Sequence, residues 1–256
     1  MGGCRPVELG RHGMTTLATI IGEAPDTVMV IHALRRGRCR AWTIGEPGRE
    51  WAAVVQHASF PDEPYGFGED PRSLMTILSA VGAWRAVCLP LSAGEGFARL
   101  VESETGRPCT LTEEIYSVLE RLRPVREPAG VRLLTEGDLR LMKASDDLAM
   151  GDWRFGSAQA LLHEGVVAGA VVGDRLAAVA FTAGIGERYA DIGVVTHRDW
   201  RGQGLATGCA AIVCREIQAR GLTTVWGTSV ENLASRRVAE KLGFEEVARR
   251  VYVNAG

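Results

Sequence analysis

Short apolar runs alternate with amphipathic stretches along the chain, and the spacing of the apolar positions predicts a series of strands and helices. In the first half, strands are predicted over residues 40–44, 51–57, 84–91 and 110–119. Helices are predicted over residues 26–34, 71–82 and 96–104. No chemical motif accompanies these elements, so this half is assigned a fold class, α/β or α+β, but no function.

The second half shows the alternation more clearly. Strands are predicted over residues 131–134, 166–172, 175–185, 189–196, 223–230 and 244–253, and helices over 138–149, 157–163, 204–220 and 233–242. This order predicts an α/β (α+β) domain with a mixed, mostly antiparallel sheet flanked by helices. The helix over 204–220 has an apolar face, which predicts that Cys209 and Cys214 fill the core rather than act as nucleophiles.

A charged stretch with two prolines, residues 121–130, separates the two halves. A chain of 256 residues suits two domains of about 100 to 150 residues each, and linkers of this composition are typical of domain boundaries. We therefore expect an N-terminal α/β domain at residues 1–125 and a second domain at residues 131–256.

Composition and charge exclude several classes of function. The formal net charge is only −2 and acidic residues balance the arginines along the chain, so no nucleic-acid partner is predicted. None of the six cysteines stands in a C-x-x-C pair or near a histidine at metal-ligand spacing, so no metal site is expected and the cysteines are predicted to be reduced. The sequence shows no secretory leader and no apolar run of about 18 residues, which predicts a cytoplasmic protein without a membrane span.

A glycine-containing turn joins the strand at 189–196 to the helix at 204–220, and it consists of Arg201, Gly202, Gln203, Gly204, Leu205 and Ala206. Free N–H groups and the helix dipole make a helix start favourable for an anion, and glycine lets the backbone approach a phosphate closely. Arg201 adds a full positive charge. The spacing, R-x-x-G-x-A, differs from both the P-loop pattern and the dinucleotide fingerprint. The turn is therefore predicted to bind a phosphate group of another kind of ligand.

This turn resembles the acetyl-CoA pyrophosphate loop of the GNAT superfamily of N-acetyltransferases. The resemblance extends to a second block, in which Asn232 precedes a helix that ends in K-L-G-F, from Lys241 to Phe244. The two blocks follow the order and the spacing of the family. The resemblance covers residues 131–256 and is strongest from Tyr189 to Phe244.

The resemblance implies that acetyl-CoA is the cosubstrate, and it assigns binding roles to particular positions. Backbone groups at the end of the strand would pair with the pantetheine arm, and the amides of the turn would hold the pyrophosphate. The strand that leads to Asn232 would splay from the strand at 189–196 to open a cleft. The implied binding residues are Val194, Val195, Thr196, Arg201, Gly202, Gln203, Gly204, Leu205, Ala206, Asn232 and Ser235. A plain helix N-cap is the alternative role for Asn232.

Acetyl transfer to an amine also needs a neutral nucleophile and a group that serves the departing thiolate. The family commonly has a tyrosine as the acid three residues before L-G-F, but Ala239 stands at that position. Ser235 is the substitute candidate, because family members resembling the ribosomal-protein N-terminal acetyltransferases carry a serine there; a small residue on the helix surface is the alternative. Asp191, on the strand before the turn, is the candidate base, and an exposed strand acid is its alternative.

The expected acceptor is a primary amine of a small molecule or a peptide or protein N-terminus. An α-amino group with a pKa near 8 needs only about 1.4 kcal/mol to lose its proton at pH 7, against about 4.6 kcal/mol for a lysine. An easily deprotonated amine therefore suits a chain without a strong candidate base.

The main alternative, favoured by Ala239, is a non-catalytic acyl-CoA-binding regulatory module. The N-terminal domain is expected to select the substrate or to be a degenerate relative of the GNAT fold, and a homodimer is left open.

Overall fold

The computed structural model describes residues 5–46, 49–145, 148 and 154–256. The chain divides into two compact units: unit 1 comprises Met1–Ile115 with Ala248–Gly256, and unit 2 comprises Tyr116–Val247. The expected boundary at 121–130 therefore lies inside unit 2. The C-terminal residues belong to unit 1 because they form a strand that pairs with strand Ala86–Pro90 there. The assignment of residues 1–125 and 131–256 as functional domains stays a prediction.

Unit 1 contains strands and helices in the sequence β1 (Val7–Glu8), α1 (Arg11–Ile21), α2 (Val28–Arg36), β2 (Cys39–Glu46), β3 (Arg49–His57), β4 (Tyr65–Phe67), α3 (Pro71–Val81), β5 (Ala86–Pro90), α4 (Leu91–Thr105), the larger part of β6 (Cys109–Leu119), and most of the last strand, β12 (Glu245–Ala255). Its strands are ordered β1-β2-β3-β4-β5-β12. Helix α3 begins as its sequence predicts, with Pro71 in the first turn and the Asp70 carboxylate accepting the Ser73 N–H at 2.8 Å.

Alternate residues of β2 and β3 face two different apolar clusters. Ile44 and Val54 pack with Leu74 of α3 and Phe97 of α4, whereas Ala41 and Val55 pack with the other cluster. That second cluster contains Leu17 of α1 and Ile31 of α2. Helix α1 escapes prediction from sequence because its stretch, RHGMTTLATII, contains five β-branched residues and one glycine, which are weak helix formers.

Unit 2 contains β7 (Val131–Leu133), a 3-10 turn (Glu136–Asp138), α5 (Leu139–Lys143), α6 (Ala158–Glu164), β8 (Val167–Val172), β9 (Arg175–Ile185), β10 (Tyr189–Thr196), a 3-10 turn (Arg198–Trp200), α7 (Leu205–Ala219), β11 (Thr223–Ser229) and α8 (Leu233–Leu242). The strand order is β6-β11-β10-β9-β8-β7, where β10 and β11 are parallel and the pairs β10–β9, β9–β8 and β8–β7 are antiparallel. The expected mixed sheet flanked by helices is confirmed.

Helix α7 is the centre of the core of unit 2. Its apolar side packs in one cluster with Ala178 of β9, Ile192 of β10 and Leu242 of α8. Cys209 and Cys214 are fully buried in this cluster, which confirms that they are core residues. Of the helix expected over 138–149, the structure has the 3-10 turn and α5, while residues 146, 147 and 149 lie outside the described residues.

Candidate functional site

The two parallel strands β10 and β11 separate partway along their length. They pair only from Tyr189 to Asp191, opposite Thr223 to Val225. Beyond that point β10 stays paired with β9 as far as Thr196. From Ile192 to Thr196, the edge of β10 on the side away from β9 pairs with no strand in the described part of the chain. We call the point where the strands part, after Asp191 and Val225, the fork.

A left-handed turn connects β10 to α7. Gly202 has φ +78° and Gly204, the N-cap of α7, has φ +80°. A Cβ atom at Gly202 would contact nothing within 4 Å, and one at Gly204 would meet only the ring of Pro128 at 3.9 Å. Glycine is thus required at these positions by backbone conformation and not by lack of space.

The first turn of α7 has free backbone donors. Gly204 provides no side-chain cap, and no backbone or side-chain acceptor within the described ranges bonds to the N–H groups of Leu205, Ala206 and Thr207. These donors point along the helix axis at its positive end. A phosphate group is the type of ligand that such an end binds well.

A cavity of about 500 Å³ lies beside this helix end. Its walls are the open end of β10, the turn, the first turn of α7, the indole of Trp226 and one face of α8. The lining residues are Val194, Val195, Thr196, Trp200, Arg201, Gly202, Gly204, Leu205, Ala206, Thr207, Trp226, Asn232, Ala234, Ser235, Arg237, Val238 and Lys241.

The cavity wall is positively charged. Arg201, Arg237 and Lys241 line it, and none of the described residues that line it is acidic. In the part of the chain that the structure describes, none of these three cations is within ion-pair distance of a carboxylate. Since unbalanced charges of one sign along a cleft attract a ligand of the opposite sign, the cavity favours a polyanion.

Asn232 and Ser235 lie together at the start of α8. The Asn232 side-chain oxygen accepts the backbone N–H of Ser235 at 3.1 Å, so the alternative role of Asn232 as a helix N-cap is realised in the structure. Asn232 also lines the cavity. The Ser235 hydroxyl oxygen accepts a hydrogen bond of 2.9 Å from the indole N–H of Trp226.

Asp191 lies at the fork but does not line the cavity. Its neighbours Ala190 and Ile192 both pack into the α7 core, which turns the Asp191 side chain to the opposite face of the sheet. There Asp191 is buried, with 6% of its surface exposed, and one carboxylate oxygen lies 3.6 Å from the position of a Cβ on Gly227. The Tyr116 ring lies next to the same point at 3.3 Å. The alternative of an exposed strand acid is wrong, because Asp191 is buried.

The structure gathers every binding residue implied by the resemblance around one cavity except Gln203, which does not line it. Sequence reasoning missed Trp200, Thr207 and Trp226, and the cavity-facing side of α8. That side could have been found from its spacing, since Ala234, Val238 and Lys241 recur at helical intervals along one face.

Ala239, at the position of the family's tyrosine, is buried in the core and brings no hydroxyl to the cavity.

The two cysteines of α7 do not form a second reactive centre. Burial raises the pKa of the Cys209 and Cys214 thiols to about 12, so neither forms a thiolate readily at neutral pH. Across the described residues, no group of three or more His, Cys, Asp and Glu side chains could hold a metal ion. Among the helices in the described ranges, none combines the length and the apolar character needed to cross a membrane.

Comparison with known proteins finds a family match over the part of the chain that contains the cavity. A family model described as GNAT acetyltransferase matches residues 132–251. The comparison with curated proteins finds no match. Among solved structures, a GCN5-related N-acetyltransferase-like protein from Streptococcus suis is 18% identical with a TM-score of 0.70, covering 96% of this chain and 100% of that one.

Two further solved structures resemble the chain over almost its whole length. An acetyltransferase of the GNAT family from Colwellia psychrerythraea is 13% identical with a TM-score of 0.62, covering 98% of this chain and 99% of that one. A tandem GNAT protein from the clavulanic acid biosynthesis pathway is 15% identical with a TM-score of 0.57, covering 97% of each chain. At these identities the likeness shows the fold, and it supports an arrangement of two domains.

Proposed function

Residues 132–251 of this chain belong to the GNAT acetyltransferases, and we propose that the cavity of unit 2 binds acetyl-CoA for transfer of its acetyl group to a primary amine. The acceptor is a small molecule or a peptide or protein N-terminus. One observation carries the proposal: the free β10 edge, the free amides of α7 and a positive wall without acidic residues converge on one cavity.

Two parts of acetyl-CoA, the pyrophosphate and the pantetheine arm, have matching parts of the cavity. The α7 amides and Arg201 suit the pyrophosphate, which carries negative charge and several acceptor oxygens. The open β10 edge at Val194, Val195 and Thr196 suits the pantetheine arm, whose amide groups can hydrogen-bond in the manner of a neighbouring strand. The reacting end of an arm that runs along β10 away from the α7 amides then lies near the fork.

The proposed reaction takes place at the fork, between the acceptor amine and the thioester of acetyl-CoA. The amine nitrogen attacks the thioester carbonyl carbon, the amine proton passes to a base, and the C–S bond breaks to release CoA as a thiolate. Asp191 is proposed as the base, because its buried carboxylate lies at the fork on the face opposite α7. Ser235 is proposed to donate a hydrogen bond to the thiolate from the cavity side.

The N-terminal part of the chain is proposed to contribute to acceptor choice. Its role as a substrate-selecting or degenerate GNAT-like domain is supported by the likeness of the whole chain to a tandem GNAT protein. Only residues 132–251 match the family model, so the second domain alone is proposed to bind acetyl-CoA.

A non-catalytic acyl-CoA-binding module remains the second candidate, and Ala239 favours it because no tyrosine hydroxyl is available from that position. Thiol release separates the two functions. The purified chain, with acetyl-CoA, is assayed for free CoA against a panel of small primary amines and peptides with free N-termini. Release that depends on one of these amines supports the transferase. Binding of acetyl-CoA without release on any amine supports the binding module and contradicts transfer.

A further inference from the structure

We propose that Trp226 is a positioning residue, whose indole holds the Ser235 hydroxyl as a hydrogen-bond donor to the sulfur atom of bound coenzyme A. The inference rests on the proposed function, since it needs a coenzyme A in the cavity. It adds a role for a residue that carries no titratable group and that the resemblance does not assign.

The direction of the Trp226–Ser235 hydrogen bond is fixed by chemistry. The indole N–H can only donate, so the Ser235 oxygen must be the acceptor across the 2.9 Å contact. The hydroxyl keeps its own proton for another partner. Within the described part of the chain, no group accepts that proton. Because Ser235 lines the cavity, the remaining acceptor is a ligand atom or solvent in the cavity.

Trp226 and Ser235 are each held by contacts with neighbouring residues. Trp226 is 4% exposed, and its ring packs edge-on against Phe244 with centroids 5.3 Å apart and planes at 65°. The backbone N–H of Ser235 is held by the Asn232 cap. A hydroxyl whose oxygen already accepts a hydrogen bond is also polarised into a better donor. The pair is therefore arranged to donate one hydrogen bond into the cavity.

The location of Trp226 and Ser235 indicates that the Ser235 hydroxyl donates its hydrogen bond to the sulfur of coenzyme A. Trp226 directly follows Val225, the last residue of β11 that pairs with β10, so its indole lies at the fork. The phosphate-binding amides of α7 lie beyond the other end of the open β10 edge. An extended pantetheine arm that is anchored by its phosphates at α7 reaches the fork with its thiol end. The thiolate form of that sulfur is the strongest acceptor in this part of the ligand, and the donated hydrogen bond stabilises it.

The experiment compares CoA with desulfo-CoA, which lacks the thiol, by calorimetry at a pH where the thiol of CoA is largely ionised. The proteins are wild type, Trp226→Phe, Ser235→Ala and the double variant. Trp226→Phe keeps an aromatic ring against Phe244 and removes the N–H donor together with part of the indole, and the desulfo-CoA titration reports the effect of that lost volume. Each single variant is expected to weaken CoA binding about five- to tenfold and to change desulfo-CoA binding less than about twofold.

The double variant is expected to bind CoA no more weakly than Ser235→Ala, since both changes break one chain of hydrogen bonds. Ser235→Thr, which keeps a hydroxyl, restores affinity. The matched control is Trp84→Phe, a buried tryptophan of unit 1 against Phe97 at 5.9 Å, which is expected to change neither affinity. Equal losses for CoA and desulfo-CoA, or additive losses in the double variant, overturn the proposal.

A second readout does not depend on how Trp226→Phe folds. In the wild-type protein bound to CoA, the indole N–H resonance of Trp226 is expected to shift as the thiol ionises. The same resonance stays constant over that pH range with desulfo-CoA. An equal response with both ligands contradicts the inference. If the wild-type protein binds neither ligand, the proposed function itself fails, and that outcome is distinct from both results above.

Discussion

Asp191 and Val225 form the last pair between the parallel strands β10 and β11. One residue farther along β11, Trp226 faces the α7 side of the sheet, and Asp191 faces the opposite side. The proposed base and the proposed thiolate-binding pair are thus on opposite faces at one point of the sheet. An amine that approaches from the Asp191 side would meet a thioester held from the other side.

Gly204→Ala tests the turn. A non-glycine residue in the left-handed conformation of Gly204 costs about 1–2 kcal/mol, so part of the strain is expected to appear as lower stability and part as displaced α7 amides. We expect acetyl-CoA affinity to fall about tenfold, the equivalent of about 1.4 kcal/mol. Calorimetry and thermal unfolding are the measurements.

The matched control is Gly173→Ala, at another open left-handed position of unit 2, with φ +61° and nothing within 4 Å of a Cβ. This variant is expected to lose similar stability without any loss of acetyl-CoA affinity. Equal affinity losses in the two variants would mean that general destabilisation, and not the turn, determines binding.

Lys241→Gln tests the positive wall. Lys241 lines the cavity without an ion-pair partner among the described residues, so its removal is expected to weaken CoA binding about three- to tenfold at low salt. The difference should shrink as ionic strength rises, because salt screens exposed charges. Lys143→Gln, the same change at an exposed position outside the cavity, is the control, and an equal effect there would contradict a local role for Lys241.

Asp191→Asn tests the base. Once an acceptor amine is identified, we expect the substitution to lower kcat about tenfold or more and to change the acid limb of the pH–rate profile, because the amide cannot take a proton and only the ionisation of the acceptor amine is left to shape that limb. The KM for acetyl-CoA should change little, since Asp191 does not line the cavity. Asp174→Asn, in the exposed β8–β9 turn, is the control. An unchanged pH–rate profile in Asp191→Asn would remove Asp191 as the base.

Asp138 provides a pH test of unit 2 stability. The Arg132 guanidinium, together with the Thr135 amide and hydroxyl, lowers the pKa of Asp138 to about 2. A lowered pKa means that the ionised carboxylate stabilises the folded state above about pH 4, and that this contribution is lost as the pH falls towards 2. Since Arg132 is half-exposed, we expect Asp138→Asn to cost only about 1 kcal/mol at pH 7.

Urea unfolding at pH 7 and near pH 2 measures that difference. The wild-type protein and Asp138→Asn should differ in free energy of unfolding at pH 7 and converge at the lower pH. A difference that stays constant across this range would show that packing or helix capping, rather than the carboxylate charge, accounts for the cost.

Much of the candidate site could be predicted from sequence because its parts are local. The strand, turn and helix from Tyr189 to Ala219 carry their signals in periodicity and in two glycines that adopt positive φ. The splayed strands, expected from the resemblance, are present as the short pairing of β10 with β11.

The features of the fold and the site that could not be predicted from sequence depend on contacts between distant residues. The bond between Trp226 and Ser235 joins residues nine positions apart through the packing of α8 on β11, which no local pattern encodes. The placement of β12 in unit 1 depends on its pairing with β5, a contact between distant parts of the chain. Helix α1 is stabilised by Leu17 and Ala18 in a core whose other members lie elsewhere in the sequence.

The most direct test of the account is a calorimetric titration of the full chain with acetyl-CoA, with Gly204→Ala alongside. We predict saturable binding of one acetyl-CoA per chain to the wild-type protein and clearly weaker binding to the variant. If the wild-type protein fails to bind acetyl-CoA, the cavity between β10 and α8 does not have the function proposed for it.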